Sequence, residues 1–372
     1  MRYILLYDFL SELGGLEKLM AQHARYLQEE GHEVLLLFGA IKPEMLQHKE
    51  FEGLNIQAYG KNVFASVFFG ERSLRKIINP QDILISYSFP VNFTIRNLPN
   101  RKIQYLNHFP NFLYLPVKER FTWANNGMRK VAVAVSLVAG PIIRWLDKKL
   151  VKKNAVIFFN SEFTKKRLKD IYKREGIVSY PPVSEDFKPI MDLEVLEKYE
   201  IKHKFILASG RVIPDKRVDW LISAISLLKE KNIELVICGH VDDSYKAELM
   251  KNATLDTEHK IKFLGIVPKE DLIKLYSMAD VYAFPTPKED FGLAPVEALS
   301  CGTPVVTWND GSGPTEQVIE GVNGFLAEPY NLKDFAKKID KCLNTIFEKK
   351  EILDSAKKFS SLEVKKSFME AL

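Results

Sequence analysis

The stretch VYAFPTPKEDFGLAPVEALSCGTPVVT, from Val281 to Thr307, carries the pattern that decides the fold. Apolar runs at Val281 to Phe284 and at Pro304 to Thr307 each predict a buried strand. Residues 293 to 300 lie between the two runs and are compatible with a helix. Because two strands joined through a helix lie parallel, the stretch predicts one β-α-β unit.

The same alternation extends in both directions along the chain. Both halves are therefore predicted to be doubly wound α/β domains, and at 372 residues the chain is long enough for two cores. Helical patterns are predicted at about 17 to 29, 217 to 230 and 269 to 278. The remaining predicted strands are Tyr3 to Tyr7, Val34 to Phe38, Ile83 to Tyr87, Ile103 to Leu106, Val156 to Phe159, Phe205 to Ala208, Leu235 to Cys238 and Ile261 to Leu264.

A proline pair marks the boundary between the halves. Tyr180-Pro181-Pro182 breaks any helix, and the polar stretch up to Pro189 is typical of a linker. We predict an N-terminal Rossmann-like domain over 1–185 and a C-terminal one over 186–352. The segment 353–372 is predicted to be helical and able to pack back on the N-terminal domain.

Composition limits the class of protein. With 46% hydrophobic and 27% charged residues the chain is globular, and a net charge of +5 is too small to indicate nucleic-acid binding, although it suits anionic substrates or membranes. Asp8 follows the first apolar run too soon for a signal peptide. The cysteines, at 238, 301 and 342, are too far apart for a disulfide framework or a zinc site. A cytoplasmic location is therefore expected.

The longest apolar stretch, Val131 to Ile143, is too short to span a membrane, which takes about 20 residues. We also expect Gly140-Pro141 to interrupt it. Basic residues on both sides, with Trp123 and Trp145 near its ends, are typical of segments at a membrane interface. Two interpretations stay open: peripheral contact with a membrane through residues 129–153, or a core helix with a solvated end.

Candidate binding residues follow the predicted strands, where ligands bind in open α/β sheets. Gly14 and Gly15 open the first helix and would allow backbone amides to approach a phosphate, unless they form an ordinary turn. Gly210-Arg211, with Lys216 five residues later, suits a diphosphate, although surface cations would have the same pattern.

Two carboxylates stand out in the opening stretch. Glu289 falls in the loop after the strand, and Glu297 falls one to two turns into the helix, so both can face one cleft. The amides of Phe291 and Gly292 at the helix start would point at an anion. Burying Glu297 would require a partner such as a ribose diol.

The order of residues from Glu289 to Glu297, followed by Ala298 to Val306, resembles the E-x7-E region of the family 4 retaining glycosyltransferases. That family has the GT-B fold, in which two Rossmann-like domains face each other across a cleft. The similarity covers nearly the whole chain. It includes Gly14-Gly15 with Glu17, Gly31 to Val34, Asn160 to Thr164, Tyr180 to Val183, Arg211 with Lys216, and Gly321 to Phe325.

The resemblance implies a nucleotide diphosphate sugar as donor substrate, with no cofactor. It places the diphosphate on Arg211 and Lys216, the ribose on Glu297 and the transferred sugar on Glu289. No D-x-D triplet occurs, which agrees with a family that usually needs no metal. The remaining residues implied to contact the donor are Gly14, Gly15, Gly210, Phe291, Gly292 and Leu293.

A histidine after a predicted strand completes the implied site. His108, in the sequence Tyr105-Leu106-Asn107-His108-Phe109-Pro110, falls where the family often places a histidine beside the reacting sugar. This pattern also resembles the mannosyltransferases that extend dolichol-linked oligosaccharides. The resemblance implies transfer of a hexose, mannose from GDP-mannose first and sugars from UDP next, to a lipid-linked or other glycan. The alternatives are a sugar-nucleotide epimerase, a phosphorylase, or a catalytically silent subunit of a glycosyltransferase complex.

Overall fold

The chain divides into two compact units. The structure, a computed structural model, describes residues 1–87, 89–124, 127–230, 232–251, 253–254 and 256–372. The N-terminal domain comprises Met1–Pro181 together with Lys365–Leu372, and the C-terminal domain comprises Pro182–Val364. Each is built on a parallel sheet, so the predicted pair of Rossmann-like α/β domains is confirmed.

The N-terminal domain has a parallel sheet that, in the part of the chain described, has seven strands in the order β3-β2-β1-β4-β5-β6-β7. Ile4, Leu5 and Leu6 on β1 are fully buried, because a central parallel strand is covered on both faces. The strands are β1 (Arg2–Leu10), β2 (Glu33–Ile41), β3 (Ile56–Ala58), β4 (Ile83–Ser86), β5 (Lys102–Leu106), β6 (Val156–Phe159) and β7 (Ile177–Val178).

Helices alternate with these strands, and the end of the chain joins the same domain. Phe368 stacks on the buried ring of His23, with 4.0 Å between ring centroids. Lys365 forms ion pairs of 2.9 Å with Glu29 and 2.8 Å with Glu30. The helices are α1 (Gly15–Glu29), α2 (Val63–Leu74), α3 (Phe89–Thr94), α4 (Asn111–Tyr114), α5 (Val117–Trp123), α6 (Gly127–Lys152) and α7 (Glu162–Tyr172).

In the C-terminal domain the strand order is β10-β9-β8-β11-β12-β13. All its strands are parallel, and the strand order switches sides between β8 and β11, as in the Rossmann order 3-2-1-4-5-6. The strands are β8 (Lys204–Ser209), β9 (Ile233–Cys238), β10 (Ile261–Gly265), β11 (Val281–Ala283), β12 (Val305–Trp308) and β13 (Gly324–Ala327). The helices are α8 (Glu194–Lys198), α9 (Val218–Ile225), α10 (Asp243–Met250), α11 (Lys269–Met278), α12 (Leu293–Ser300), α13 (Gly313–Gln317), α14 (Leu332–Leu343) and α15 (Lys349–Ala356), with α16 (Ser361–Glu370) leading into the chain end.

Alternate residues of each strand in this sheet enter two different cores. On β11, Val281 and Ala283 pack with α9 and α14, whereas Tyr282 packs with α11 and α12. This follows from the two-residue period of a strand, whose side chains point to opposite faces. Helices therefore cover both faces, and the loops after the strands remain at one edge of the sheet.

The expected interruption at Gly140-Pro141 is wrong, because α6 runs unbroken from Gly127 to Lys152 with Pro141 inside it. Proline leaves the carbonyl four residues earlier, that of Leu137, without its helical partner. Both Pro141 and Leu137 are exposed, so water can satisfy that carbonyl. In the part of the chain that the structure describes, neither α6 nor any other helix is long and apolar enough to cross a membrane.

A buried carboxyl group anchors α6 to its domain. The Asp147 side chain is 1% exposed, and its Oδ2 accepts hydrogen bonds from the hydroxyls of Tyr114 at 2.7 Å and Tyr172 at 2.9 Å. Burial raises the pKa of Asp147 from 3.8 to about 6, although the two tyrosines partly offset this. Ionisation of Asp147 therefore opposes folding.

We expect Asp147→Asn to stabilise the protein above pH 6, because an amide oxygen still accepts from both tyrosines without a buried charge. The pKa of Asp147 is higher in the folded state than in the unfolded state, so the protonated side chain favours folding. The wild type should lose that stabilisation as the pH rises from about 4 to about 6. At pH 7.5 the gain should approach 2–3 kcal/mol in the free energy of unfolding, and near pH 4 it should vanish. Urea denaturation at several pH values measures it; equal gains at both ends of the pH range would contradict the assignment.

Candidate functional site

The candidate site lies at the carboxyl edge of the C-terminal sheet, at the point between β8 and β11 where the strand order switches sides. β8 and β11 are hydrogen-bonded neighbours, so the loops that follow them emerge side by side. The first loop carries Gly210, Arg211 and Lys216, and the second carries Glu289. Ligands in sheets of this kind bind at this crevice.

An ion pair joins the two loops. Lys216 Nζ lies 2.6 Å from Glu289 Oε2, and the two side chains are 28% and 25% exposed. The same ammonium is 5.8 Å from the centroid of the Phe284 ring, and the hydroxyl of Thr286 donates to the Lys216 carbonyl at 3.4 Å. Lys216 is thus positioned by residues that follow β11.

Arg211 adds a second positive charge to this edge. Its side chain is exposed and forms no ion pair or hydrogen bond within the described residues. Arg211 and Lys216 line one cavity together with Ser209, Gly210, Tyr282 and Phe284. A guanidinium and an ammonium on one loop beside this cavity suit a ligand with two phosphate groups.

The second carboxylate, Glu297, is held through hydroxyl groups. Its Oε2 accepts from the hydroxyl of Tyr276 at 3.0 Å. That hydroxyl is 2.6 Å from Ser209 Oγ, which is in turn 3.1 Å from the hydroxyl of Tyr282. Burial, and next the charge of Glu297, raises the pKa of Tyr276 well above its usual value, so Tyr276 stays a donor. The network connects Glu297 on α12 to the end of β8.

The start of α12 is shaped by a glycine. Gly292 precedes Leu293, the first helical residue, with φ of 78°, and a Cβ there would lie 3.4 Å from Glu289 Cγ. Gln317 Nε2 donates to the carbonyls of Phe291 at 2.7 Å and Gly292 at 3.1 Å. The side chain of Phe291 is buried against Phe359, with 5.6 Å between ring centroids. A ligand at this turn would therefore meet Phe291 through its backbone and not through its ring.

A close backbone contact holds the loops after β8 and β9 together. The Gly210 amide donates to the Cys238 carbonyl at 2.9 Å, and Val212 donates to the His240 carbonyl at 3.0 Å. Gly239 has φ of 141°, and a Cβ there would lie 1.7 Å from the Gly210 carbonyl oxygen. The absence of a side chain at Gly239 therefore allows the backbone of Gly210, which precedes Arg211, to lie this close to the loop after β9.

Gly14, Gly15 and His108 belong to the N-terminal domain, also beyond strand ends. The Gly14 amide donates to Glu17 Oε2 at 3.0 Å, so the phosphate contact expected of Gly14 would have to replace this carboxylate. Gly15 is the first residue of α1. His108 is exposed, and its Nδ1 donates to the Phe109 carbonyl at 2.9 Å, which leaves Nε2 as the acceptor of the neutral ring.

Sequence reasoning missed the residues that position these groups. Ser209 could have been found from its place between a strand and Gly210-Arg211. Tyr276 carries no local signal, because it precedes Glu297 by 21 residues and reaches it only through packing of α11. Among the described residues, no group of three or more histidine, cysteine or acidic side chains has the arrangement of a metal site.

The C-terminal domain is similar in sequence to known proteins. Residues 193–358 match the family model described as Glycosyl transferases group 1. The chain is 37% identical to the uncharacterized glycosyltransferase MJ1607 of Methanocaldococcus jannaschii over 157 residues, which are 42% of this chain and 40% of that protein. It is 30% identical to O-antigen chain mannosyltransferase B of Escherichia coli over 242 residues, 60% of this chain and 61% of that protein. These two alignments span less than two thirds of each relative.

A solved structure extends the likeness to the whole chain. Anabaena Alr3699/HepE in complex with UDP and glucose matches with a TM-score of 0.76 at 16% identity, covering 100% of this chain and 98% of that one. At this identity the match shows the fold alone. The predicted GT-B fold is confirmed, and residues 193–358 are similar to the glycosyl transferases of group 1.

We expect Gly239→Ala to lower the stability of the C-terminal domain, because the new Cβ would collide with the Gly210 carbonyl and alanine rarely adopts this φ. Gly265→Ala is the matched control, since Gly265 also has a positive φ, of 69°, but has no atom within 4 Å of its Cβ position. The control should cost about 1–2 kcal/mol in the free energy of unfolding and Gly239→Ala clearly more. Urea denaturation measures both variants. Equal losses in the free energy of unfolding would show that the close contact at Gly239 does not contribute to the cost of the substitution.

Proposed function

We propose that the protein is a retaining glycosyltransferase that moves a hexose from a nucleotide diphosphate sugar to a glycan acceptor. The observation that carries the proposal is the gathering of Arg211, the Lys216–Glu289 ion pair and Glu297 at one edge of one sheet. Positive charge for a diphosphate and carboxylates for hydroxyl groups are what such a donor requires.

Each charged side chain of the site is assigned to the part of the donor that its chemistry can bind. Arg211 can hold two phosphate oxygens, while Lys216 supplies a point charge beside them. Glu297, oriented by Tyr276, accepts from the ribose hydroxyls, and Glu289 accepts from hydroxyls of the transferred sugar. The backbone of Gly210 and of the turn from Phe291 to Leu293 contacts phosphate and sugar.

In this proposal, residues of the N-terminal domain contact the transferred sugar and the rest of the donor. We propose that Nε2 of His108 accepts a hydrogen bond from the reacting sugar. Gly14 and Gly15 approach the donor from the loop after β1, with the Gly14 amide exchanging Glu17 for a donor oxygen.

The reaction proceeds on one face of the sugar. The bond from the anomeric carbon to the phosphate oxygen breaks as the bond to the acceptor oxygen forms from the same side. The departing phosphate oxygen takes the proton of the acceptor hydroxyl. Arg211 and Lys216 stabilise the charge on the leaving diphosphate, so the proposed route uses neither a metal ion nor a protein nucleophile.

We propose GDP-mannose as the first donor to test and a lipid-linked glycan as the first acceptor. A relative named O-antigen chain mannosyltransferase supports the choice of mannose. The likeness to a structure that holds UDP and glucose makes UDP-sugars the second choice. The buried free thiols of Cys238, Cys301 and Cys342 support a cytoplasmic location.

Arg211→Ala should reduce turnover by ~10²-fold or more, as expected when one stabiliser of developing charge is lost. The control is Arg72→Ala, which removes an exposed arginine from α2. Release of nucleoside diphosphate by the purified chain, with GDP-mannose or UDP-sugars and a glycan acceptor, measures the rate. An Arg211→Ala protein with nearly wild-type turnover would contradict the role. Turnover of the wild-type chain alone would exclude a silent subunit.

Glu289→Gln should separate binding of the sugar from binding of the diphosphate. Loss of the carboxylate removes a negative charge beside the phosphates and releases Lys216, so GDP or UDP should bind at least as tightly as to the wild type. The sugar nucleotide should lose its advantage over the free nucleotide. Thermal shifts with each ligand measure this, since a ligand of the folded state raises the melting temperature.

The control for this experiment is Glu320→Gln, which breaks a Lys–Glu pair with Lys338 in the same domain. It should leave both ligand shifts unchanged. If Glu289→Gln weakened the free nucleotide as much as the sugar nucleotide, Glu289 would not be a sugar ligand.

A further inference from the structure

Helix α6 is attached to the N-terminal domain by one face only. Val133 and Val151 are 2% and 0% exposed, and Asp147 is held by the two tyrosines described above. Arg144 Nη1 also donates to the Leu113 carbonyl at 3.0 Å. These contacts fix which side of the helix faces outward.

The outward side is apolar along four turns. Val131, Val135, Val138, Ile142 and Trp145 follow one another at spacings of four and three residues, which places them in one stripe along the helix. Their exposed fractions are 64%, 46%, 89%, 65% and 58%. We call these five residues the α6 stripe. Scattered exposed apolar residues are ordinary, but a continuous row indicates a surface with a partner.

Positive charge lies at both ends of the α6 stripe. Arg129 and Lys130 precede it, and Lys148, Lys149 and Lys152 follow it, while the sole acid within the helix sequence is the buried Asp147. The Lys149 ammonium is 4.9 Å from the centroid of the Trp145 ring, and the Arg129 guanidinium is 4.8 Å from that of Trp123. Aromatic rings beside cations are typical of helices at the headgroup level of a bilayer.

We propose that the α6 stripe docks on the surface of an anionic lipid bilayer, with the helix lying in the plane of the interface. The apolar row enters the acyl boundary, and the lysines and arginines at its ends contact lipid phosphates. The surface lies outside the proposed donor site, so it adds a partner rather than a step of the reaction.

The basic residues at both ends of the α6 stripe indicate whether its partner is a bilayer or a second copy of the chain. Two α6 stripes pairing in either direction would bring the basic ends of one helix against basic ends of the other. Such like-charge contact opposes association. Anionic lipid complements the same residues, and therefore the bilayer is the occupant that this surface fits.

The experiment is flotation of the full chain with vesicles of phosphatidylcholine alone and of phosphatidylcholine mixed with phosphatidylglycerol. Binding is expected to the anionic vesicles only, and it should weaken with added salt because charges near a surface are screened. Val138→Gln with Ile142→Gln should lower the partition coefficient at least about tenfold, since two apolar side chains leave the acyl boundary. The matched control is Ile346→Gln with Leu362→Gln, which changes residues that are 95% and 72% exposed elsewhere.

The basic residues are tested separately. Lys148→Gln with Lys149→Gln should weaken binding to anionic vesicles by about fivefold per lysine. Lys333→Gln with Lys337→Gln, two exposed lysines of α14, is the control of equal charge and should have little effect. All substituted residues are exposed, so thermal melting should be unchanged and loss of binding cannot be attributed to unfolding.

Three results would overturn the proposal. They are failure of the wild type to float with anionic vesicles at low salt, binding that survives the double change in the α6 stripe, and a wild-type dimer in sedimentation velocity that Val138→Gln with Ile142→Gln converts to monomer. The last result would identify a second copy as the occupant. None of these measurements uses enzymatic activity, so their outcome is independent of the proposed function.

Discussion

The ion pair between Lys216 and Glu289 exists because two parallel strands, β8 and β11, are neighbours at the point where the strand order switches sides. The residues are 73 apart in sequence, and nothing local brings them together. β8 and β11 lie side by side, and their following helices cover opposite faces of the sheet, so the two loops open at the same edge. The donor site proposed here is a consequence of that topology, because every group assigned to the diphosphate or the sugar on this domain stands on one of these loops or on α12.

Charge compensation and hydrogen bonds hold the side chains at this edge of the sheet. Glu289 neutralises Lys216, and a chain of hydroxyl groups from Tyr276 through Ser209 satisfies Glu297. The Tyr276 hydroxyl that binds Glu297 is neutral, whereas in the proposed site the ammonium that binds Glu289 also faces the donor phosphates. The two carboxylates therefore differ in the partners that the structure gives them: Glu297 accepts from the hydroxyl of Tyr276, while Glu289 is paired with the ammonium of Lys216.

Much of the architecture could be predicted because the relevant signals are local. Central strands such as β11, with the sequence Val-Tyr-Ala, are apolar and buried, and the helix at 293–300 was predicted with its observed bounds. The short strands β3 and β7, at the edges of their sheet, were missed because two or three residues carry too little pattern. Helix α6 was misjudged at Pro141, since only the exposure of Leu137 and Pro141 reveals that the helix can continue.

The sequence by itself determined the fold class, the two-domain organisation and the residue types of the candidate site, because periodicity, loop residues and motif order are encoded within short stretches. Only the tertiary structure decided that Lys216 meets Glu289, that Tyr276 holds Glu297, that the Gly14 amide is taken by Glu17, and that one side of α6 is exposed. The physical reason is that contacts between distant residues follow from strand order and packing, which depend on the whole chain at once.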